Sequence, residues 1–424
     1  PREVEEALLR HPAVFEVAVI GEPEPEWGEQ VVAHIVPQPG QNVTEAELDS
    51  WCRQQIASFK RPKRYVFATE LPKNSKEETM KRRDFLKTGG ALAGAGMLGL
   101  PGLAQARTSM KFDSYVTESA GPSWIDRWFL DELQKRSNGD VAVRYYWAGS
   151  LNKAGEHLGA VRDGTSEITI ISPGYYQAEM PVTRGLEWYF RVDRADTLQQ
   201  VCRDTYDNFE PLRQEWEQRH RCKVLYWTNW NYAPLVMRRP ISSLADLKGK
   251  KIRAYGVATD VIERLGGIAV PMVAGEVYQS LERGVLDGVY GFDFVTAVAY
   301  KLHEIAPNFY DIGDGAHAPA LTVMNKRTWE KLSPANQQIC TDLANELYAG
   351  KFAEIYENVL TDYVKKALAE GVKFTSLPDA EKERARAIVQ PAQVDKRIDE
   401  VAKPNRIDGK AMQDVIEQAI ARHA

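Results

Sequence analysis

Cysteine is scarce in this sequence, and the four present (Cys52, Cys202, Cys222 and Cys340) form no Cys-x-x-Cys pair. Metal binding by thiolates is therefore unsupported. The seven histidines show no His-x-x-x-His or comparable spacing, so neither a metal nor any other cofactor is expected. No basic excess exists: 54 Lys and Arg face 59 Asp and Glu, a net charge of −5. Phosphates would find no neutralising surface, and nucleic acid is not an expected partner. No Gly-x-Ser-x-Gly elbow and no phosphate loop appears, which removes the usual signatures of an exported catalytic α/β enzyme. The most apolar stretch, Thr88–Leu103, is too short and glycine-rich for a membrane span.

What the chain has is length, arranged in blocks of different style. Its 424 residues suffice for more than one domain, and its 44% hydrophobic content is that of ordinary globular protein. Pro1 is not an initiator, so the chain reads as a fragment or as a processed or spliced product. In the first block, residues 1–79, Glu3–Arg10 has a helical pattern with Val4, Ala7 and Leu8 on one face. Val14–Ile20, Gly28–Val36 and Tyr65–Phe67 read as strands. Thr44–Ile56 reads as a helix, with Thr44 and Glu47 at capping-box spacing. The whole is a small α+β unit. Its phrases Pro1-Arg2-Glu3-Val4-Glu5, His11-Pro12-Ala13-Val14, Trp27-Gly28-Glu29, Phe59-Lys60-Arg61-Pro62 and Glu70-Leu71-Pro72-Lys73 resemble the C-terminal subdomain of acyl-CoA synthetases and related adenylate-forming enzymes. The resemblance implies a lysine in a Gly-Lys pair just after the Pro-Lys phrase, where its charge meets carboxylate and phosphate. Here Pro72-Lys73-Asn74-Ser75 runs into Lys76-Glu77-Glu78-Thr79. Lys76 lacks the preceding glycine, and the sequence shows no large ATP-binding domain. The block is expected to be a truncated, inactive remnant.

At Met80 the style changes. Met80-Lys81-Arg82-Arg83 is basic, Thr88–Leu103 is small and apolar, and Ala104-Gln105-Ala106 follows. That is the order of a bacterial twin-arginine export signal over residues 80–106. The export machinery is the partner it calls for, and the periplasm is the destination of residues 107–424. Gly94-Ala95-Gly96-Met97-Leu98-Gly99 spells a dinucleotide fingerprint, but no strand precedes it and no βαβ unit surrounds it. A signal works at an N-terminus, so the order reads as two neighbouring reading frames joined at Met80, by prediction error or by real fusion. Mass spectrometry of the native protein checks this. A mature N-terminus near Arg107 is expected, and peptides from cells that span Thr79–Met80 would overturn it.

The exported body alternates strands and helices. Lys111–Val116, Val141–Trp147, Glu167–Ile171 and Lys223–Trp227 read as strands, and Trp124–Lys135, His157–Arg162 and about Thr197–His220 as helices. Asn231–Arg238 reads as a further strand. The pattern then repeats: a strand around Ile252–Tyr255, a helix marked by Val257, Val261, Ile262 and Leu265, the strand Ile268–Met272, and a helix with Val277 and Leu281 on one face. Ala320–Asn325 is one more strand and Ala335–Leu368 is largely helical. An α/β pattern used twice suggests two lobes, with ligands in the crevice outside the carboxyl ends of the strands. Cys202 and Cys222 flank a predicted helix whose length would hold them apart, so free thiols are expected.

One residue stands out chemically. In the strand alternation Ile252 and Ala254 face one side, Arg253 and Tyr255 the other. A strand-held arginine at a cleft is a carboxylate clamp, because its planar fork makes two parallel charge-assisted hydrogen bonds. On the strand pattern alone, a surface arginine paired with a nearby acid is the commoner outcome.

The phrases Trp147-Ala148-Gly149-Ser150-Leu151, Val161-Arg162-Asp163-Gly164-Thr165, Ser172-Pro173-Gly174-Tyr175, Leu247-Lys248-Gly249-Lys250-Lys251-Ile252-Arg253, Glu276-Val277-Tyr278 and Gly284-Val285-Leu286-Asp287-Gly288 resemble the dicarboxylate-binding receptors of tripartite ATP-independent periplasmic (TRAP) transporters. The resemblance covers nearly all of residues 107–424. It implies an α/β fold of two lobes joined by hinge strands and a long linking helix, beside the small N-terminal α+β subdomain. It implies a periplasmic receptor, not an enzyme, that binds a small organic acid and delivers it to TRAP membrane permease subunits. It also implies that Arg253 pairs with the ligand carboxylate and that Arg239 is a second basic contact. Tyr175, Trp147 and Glu276 lie in the matching phrases and join the ligand-binding candidates. The family often places a ligand-binding Asn after Asp-Gly. Gly291 stands there instead, so Tyr290, Phe292 or Asp293 is expected to redefine the pocket. The competing reading is a ligase fragment, resting on the first block alone.

Overall fold

The computed structural model describes residues 2–24, 28–38, 41, 43–56, 61–68, 108–176 and 178–423. Trp27, the Phe59–Lys60 and Glu70–Lys73 phrases, Lys76 and the export segment lie outside the described residues. The chain divides into two compact units, one within residues 1–104 and one within 105–424.

The first unit runs α1 (Arg2–Leu9), β1 (Val14–Glu24), β2 (Gly28–Pro37), α2 (Glu45–Gln55) and β3 (Arg64–Phe67). β1 and β2 pair antiparallel, and β3 adds parallel to β2. Leu8, Ala33, Ile35, Leu48 and Cys52 are fully or almost fully buried between the helices and the sheet. The capping box forms as the spacing predicts: the Glu47 carboxylate accepts from the Thr44 amide at 2.8 Å, and the Glu47 amide donates to Thr44 Oγ1 at 3.3 Å.

The second unit contains two sheets. β4 (Thr108–Asp113), α3 (Gly121–Arg136), β5 (Val141–Tyr146), α4 (His157–Asp163) and β6 (Ile168–Ile171) open the first. α5 (Ala195–Asn208) and α6 (Glu210–Gln214) lead to β7 (Cys222–Asn229). The second sheet begins with β8 (Leu235–Met237) and β9 (Lys251–Ala254), then α7 (Ala258–Arg264), β10 (Ile268–Pro271), α8 (Val277–Glu282), β11 (Gly288–Val289), α9 (Phe294–Ala299) and β12 (Asn308–Asp311). The chain returns to the first sheet with β13 (Pro319–Asn325), followed by α10 (Lys326–Lys331) and α11 (Pro334–Glu346). α12 (Phe352–Ala369) carries it over to β14 (Lys373–Ser376), and α13 (Asp379–Asn405) and α14 (Gly409–His423) follow. The sheet orders are β5-β4-β6-β13-β7 and β10-β9-β11-β8-β12-β14. In each, three neighbouring strands are parallel (β5, β4 and β6; β10, β9 and β11), as the βαβ pattern requires.

Two short segments, residues 230–234 and 312–318, link β7 to β8 and β12 to β13. They are the hinge, tied together by an antiparallel bridge between Tyr232 and Ala316 and by the Trp230 amide donating to the Ala318 carbonyl at 3.0 Å. α12 packs against α3 of the first lobe and α9 of the second. It is the long linking helix expected of the fold. The lobes have separate cores, one centred on Phe129, Ile168 and Tyr226, the other on Ile252, Val261 and Ile262.

Two elements differ from the sequence pattern. The helix expected over Thr197–His220 breaks at Phe209, where the backbone turns to φ −118° and ψ 97°. Pro211 explains it: the ring supplies no N–H and clashes with the preceding turn, so it starts a new helix instead of continuing the old one. The strand expected over Asn231–Arg238 shrinks to Leu235–Met237, because its first residues form the hinge. Cys202 lies inside α5 and Cys222 opens β7, and both are buried free thiols.

Candidate functional site

Arg253 stands on β9, paired with Val270 of β10 on one side and Val289 of β11 on the other. It is among the largest fully buried side chains of the protein. Its Nε donates to the Met272 carbonyl at 3.1 Å and its Nη1 to the Tyr290 carbonyl at 3.3 Å. Its Nη2 is buried with no hydrogen-bond partner. Two rings sandwich the guanidinium, Tyr255 at 4.5 Å and Phe292 at 4.4 Å from Cζ to centroid. Among the described residues no carboxylate pairs with it. The guanidinium is buried against two carbonyls, two ring faces and the Tyr175 hydroxyl, and a buried cation so placed is incompletely compensated. Gly291 adjoins it at φ +88°, and a Cβ there would lie 3.8 Å from Nη1. The absent side chain keeps that flank of the guanidinium clear.

The first lobe supplies the facing wall. Ser172 follows β6, and its hydroxyl accepts from Tyr115 at 2.6 Å and from the Trp230 indole at 2.7 Å. A single turn of 3-10 helix, Pro173–Tyr175, then aims Tyr175 across the cleft. Its ring stacks on Tyr255 with centroids 4.8 Å apart and meets Tyr115 edge-on at 5.2 Å. Burial raises the Tyr175 hydroxyl above the usual tyrosine range, and the Arg253 charge works against that rise. Tyr300 is buried beside the same group, its ring 5.5 Å from Phe292, and burial pushes its hydroxyl up as well. The result is an aromatic box with one cation at its floor.

Of the residues singled out in the sequence, Arg253, Tyr175 and Phe292 come together here. Asp293 follows Phe292 but turns away: its carboxylate caps α9 by accepting from the Thr296 amide at 3.1 Å and accepts from the Tyr356 hydroxyl of α12 at 2.6 Å. Burial pushes it up to about 6. Trp147 packs on Phe112 and Tyr145 at the outer strand of the first sheet. Its phrase ends a strand whose side chains pack on that lobe's core, which keeps it from the guanidinium. Glu276 is exposed at the N-terminus of α8. Arg239 is exposed too, and lines a separate surface pocket of about 650 Å³ with Arg238, Lys248, Lys250 and Asp287. Neither reaches the box, because β8 and the α8 turn point them outward. Sequence reasoning missed Tyr255, Ser172, Tyr115 and Tyr300 as site residues. For Tyr255 the signal existed, since the strand alternation puts it on the face of Arg253.

Residues 127–397 match the bacterial extracellular solute-binding protein family 7. The chain belongs to that family. Residues 3–77 match the C-terminal domain of AMP-binding enzymes, and residues 79–99 the twin-arginine translocation signal. The 2,3-diketo-L-gulonate-binding periplasmic protein YiaO of Escherichia coli is 26% identical over 287 residues, covering 66% of this chain and 85% of its own. The 4-chlorobenzoate–CoA ligase of a Pseudomonas species is 42% identical over 106 residues, covering 25% of this chain and 20% of the ligase. The chain spans less than two thirds of the length of the first curated relatives it matches. Among solved structures, a marine metagenome TRAP solute-binding protein specific for aromatic acid ligands, holding 3-hydroxybenzoate, superposes with a TM-score of 0.67 at 23% identity, over 75% of this chain and 99% of that one. A TRAP solute-binding protein from Rhodoferax ferrireducens with copurified benzoate has a TM-score of 0.66 at 19% identity, over 74% and 98%. These likenesses give the fold of the second unit, that of a periplasmic TRAP solute-binding protein. Family members and structural neighbours are transport receptors, not enzymes, and the ligase match is a fragment. With the export signal, the solute-binding unit is periplasmic.

Proposed function

We propose that the solute-binding unit captures a small ring-bearing carboxylate in the aromatic box, pairs its carboxylate with Arg253, and hands it to a TRAP membrane permease. The observation that carries this reading is the buried guanidinium with an unpartnered Nη2 and no carboxylate of its own. The carboxylate supplies the missing counter-charge, closure of the lobes excludes water, and the lower local dielectric strengthens the pair. The ring faces of Tyr175, Tyr255 and Phe292 favour a planar apolar body over an extended polar one. Benzoate and 3-hydroxybenzoate, bound by the two structural neighbours, fit that description. The division into residues 1–79, 80–106 and 107–424 is part of the same proposal, and the first block takes no part in transport.

Calorimetry with benzoate, 3-hydroxybenzoate and the neutral isostere benzamide tests it. The two acids are expected to bind and benzamide to bind at least about a hundredfold more weakly, the usual scale for a buried group left unpaired. Equal binding of the amide would show that no anion is being read.

A further inference from the structure

A second group of buried polar atoms lies beyond the aromatic box, on the first lobe. His157 opens α4 and Asp113 closes β4, and both side chains are fully buried. Neither nitrogen of His157 has a hydrogen-bond partner, and Asp113 Oδ1 has none either. Asp113 Oδ2 is taken by the Asn152 amide at 2.6 Å, and the imidazole Nε2 stands 3.5 Å from that same oxygen, beyond a good hydrogen bond. Three orphaned polar atoms at one buried spot are costly unless something they hold repays them.

Their position says what that is. They stand at the carboxyl end of β4, where the crevice of an open α/β sheet lies. The His157 ring meets Tyr115 edge-on at 5.5 Å, and Tyr115 in turn meets Tyr175 of the box. We infer that His157 and Asp113 form the specificity-determining pair for a hydroxyl group carried by the ligand. An imidazole N–H donates, and Asp113 Oδ1 accepts. A hydroxyl matches both, accepting from the imidazole N–H while donating to Asp113 Oδ1. An apolar hydrogen at the same place would leave all three atoms unsatisfied. The pair thus reads the ligand away from its carboxylate, a task for which Gly291 offers no side chain. This rests on the reading of Arg253 as the carboxylate clamp.

The probes are benzoate and 3-hydroxybenzoate, measured by calorimetry on the whole chain. The wild type is expected to prefer the hydroxylated acid by at least about tenfold. His157→Leu should erase that preference by weakening 3-hydroxybenzoate while leaving benzoate within about threefold. His157→Gln, which keeps one donor and one acceptor, should recover part of it, and melting curves of both variants report whether the fold holds. Arg253→Ala should weaken both probes alike. If the wild type binds both acids equally, or if His157→Leu weakens both or neither, the pair is structural and the inference falls while the clamp stands. Binding of neither acid by the wild type would overturn the clamp reading and this inference together.

Discussion

Arg253→Ala should lower the affinity for benzoate by roughly 30- to 4,000-fold. Truncating one partner of a buried, hydrogen-bonded charge pair costs about 2–5 kcal/mol, and each 1.4 kcal/mol is tenfold in affinity. The loss is large because the buried guanidinium is the charged partner the carboxylate would lose. Among the described residues the cation has no carboxylate partner to relinquish, and the rings of Tyr255 and Phe292 hold no charge of their own. The variant also strips the Met272 and Tyr290 carbonyls of their donors, so a lower melting temperature should accompany it. Arg253→Lys separates the two effects. It retains the charge but not the fork, and should bind more tightly than the alanine variant and less tightly than the wild type. Affinity unchanged in Arg253→Ala would remove the clamp, whatever the melting temperature does.

The candidate site was half legible in the sequence. Alternation along β9 placed Arg253 and Tyr255 on one face, and the repeated α/β pattern placed that strand beside a crevice. The rest of the box was not legible, because its parts come from distant stretches. Tyr115 reaches Ser172 across 57 residues and Trp230 reaches the same hydroxyl across 58, and no local periodicity encodes such a meeting. Asp293 shows the opposite failure. It is a chain neighbour of Phe292, yet the start of α9 claims its carboxylate for a cap, so adjacency in sequence gave no adjacency in chemistry. At the fold level the errors share one cause. Pro211 and the hinge residues 230–234 both lie inside stretches whose hydrophobic pattern continues, while the backbone does not.

Gly174→Val should act on closure instead of on contact, lowering the affinity for benzoate roughly 5- to 150-fold. Gly174 belongs to the first lobe and Tyr255 to the second. A Cβ on Gly174 would lie 2.7 Å from Tyr255 Cε2 and 2.9 Å from Cδ2. Those ring atoms cannot step aside, since Tyr255 is stacked on Tyr175 and covers the Arg253 guanidinium. Gly256 closes the same contact from the other side, and a Cβ there would meet Gly174 Cα at 2.8 Å. Overpacking of this kind costs about 1–3 kcal/mol. The hinge at residues 230–234 and 312–318 offers an escape, because moving the lobes apart removes the clash without disturbing either core. The cost therefore falls on the closed form, and the apparent affinity drops by the fraction of closed protein lost. Small-angle scattering distinguishes this from a damaged fold. Benzoate should compact the wild type, while the variant stays extended at the same ligand concentration and melts near the wild-type temperature without ligand. A variant that closes and binds like the wild type would mean that the Gly174–Gly256 contact does not limit closure.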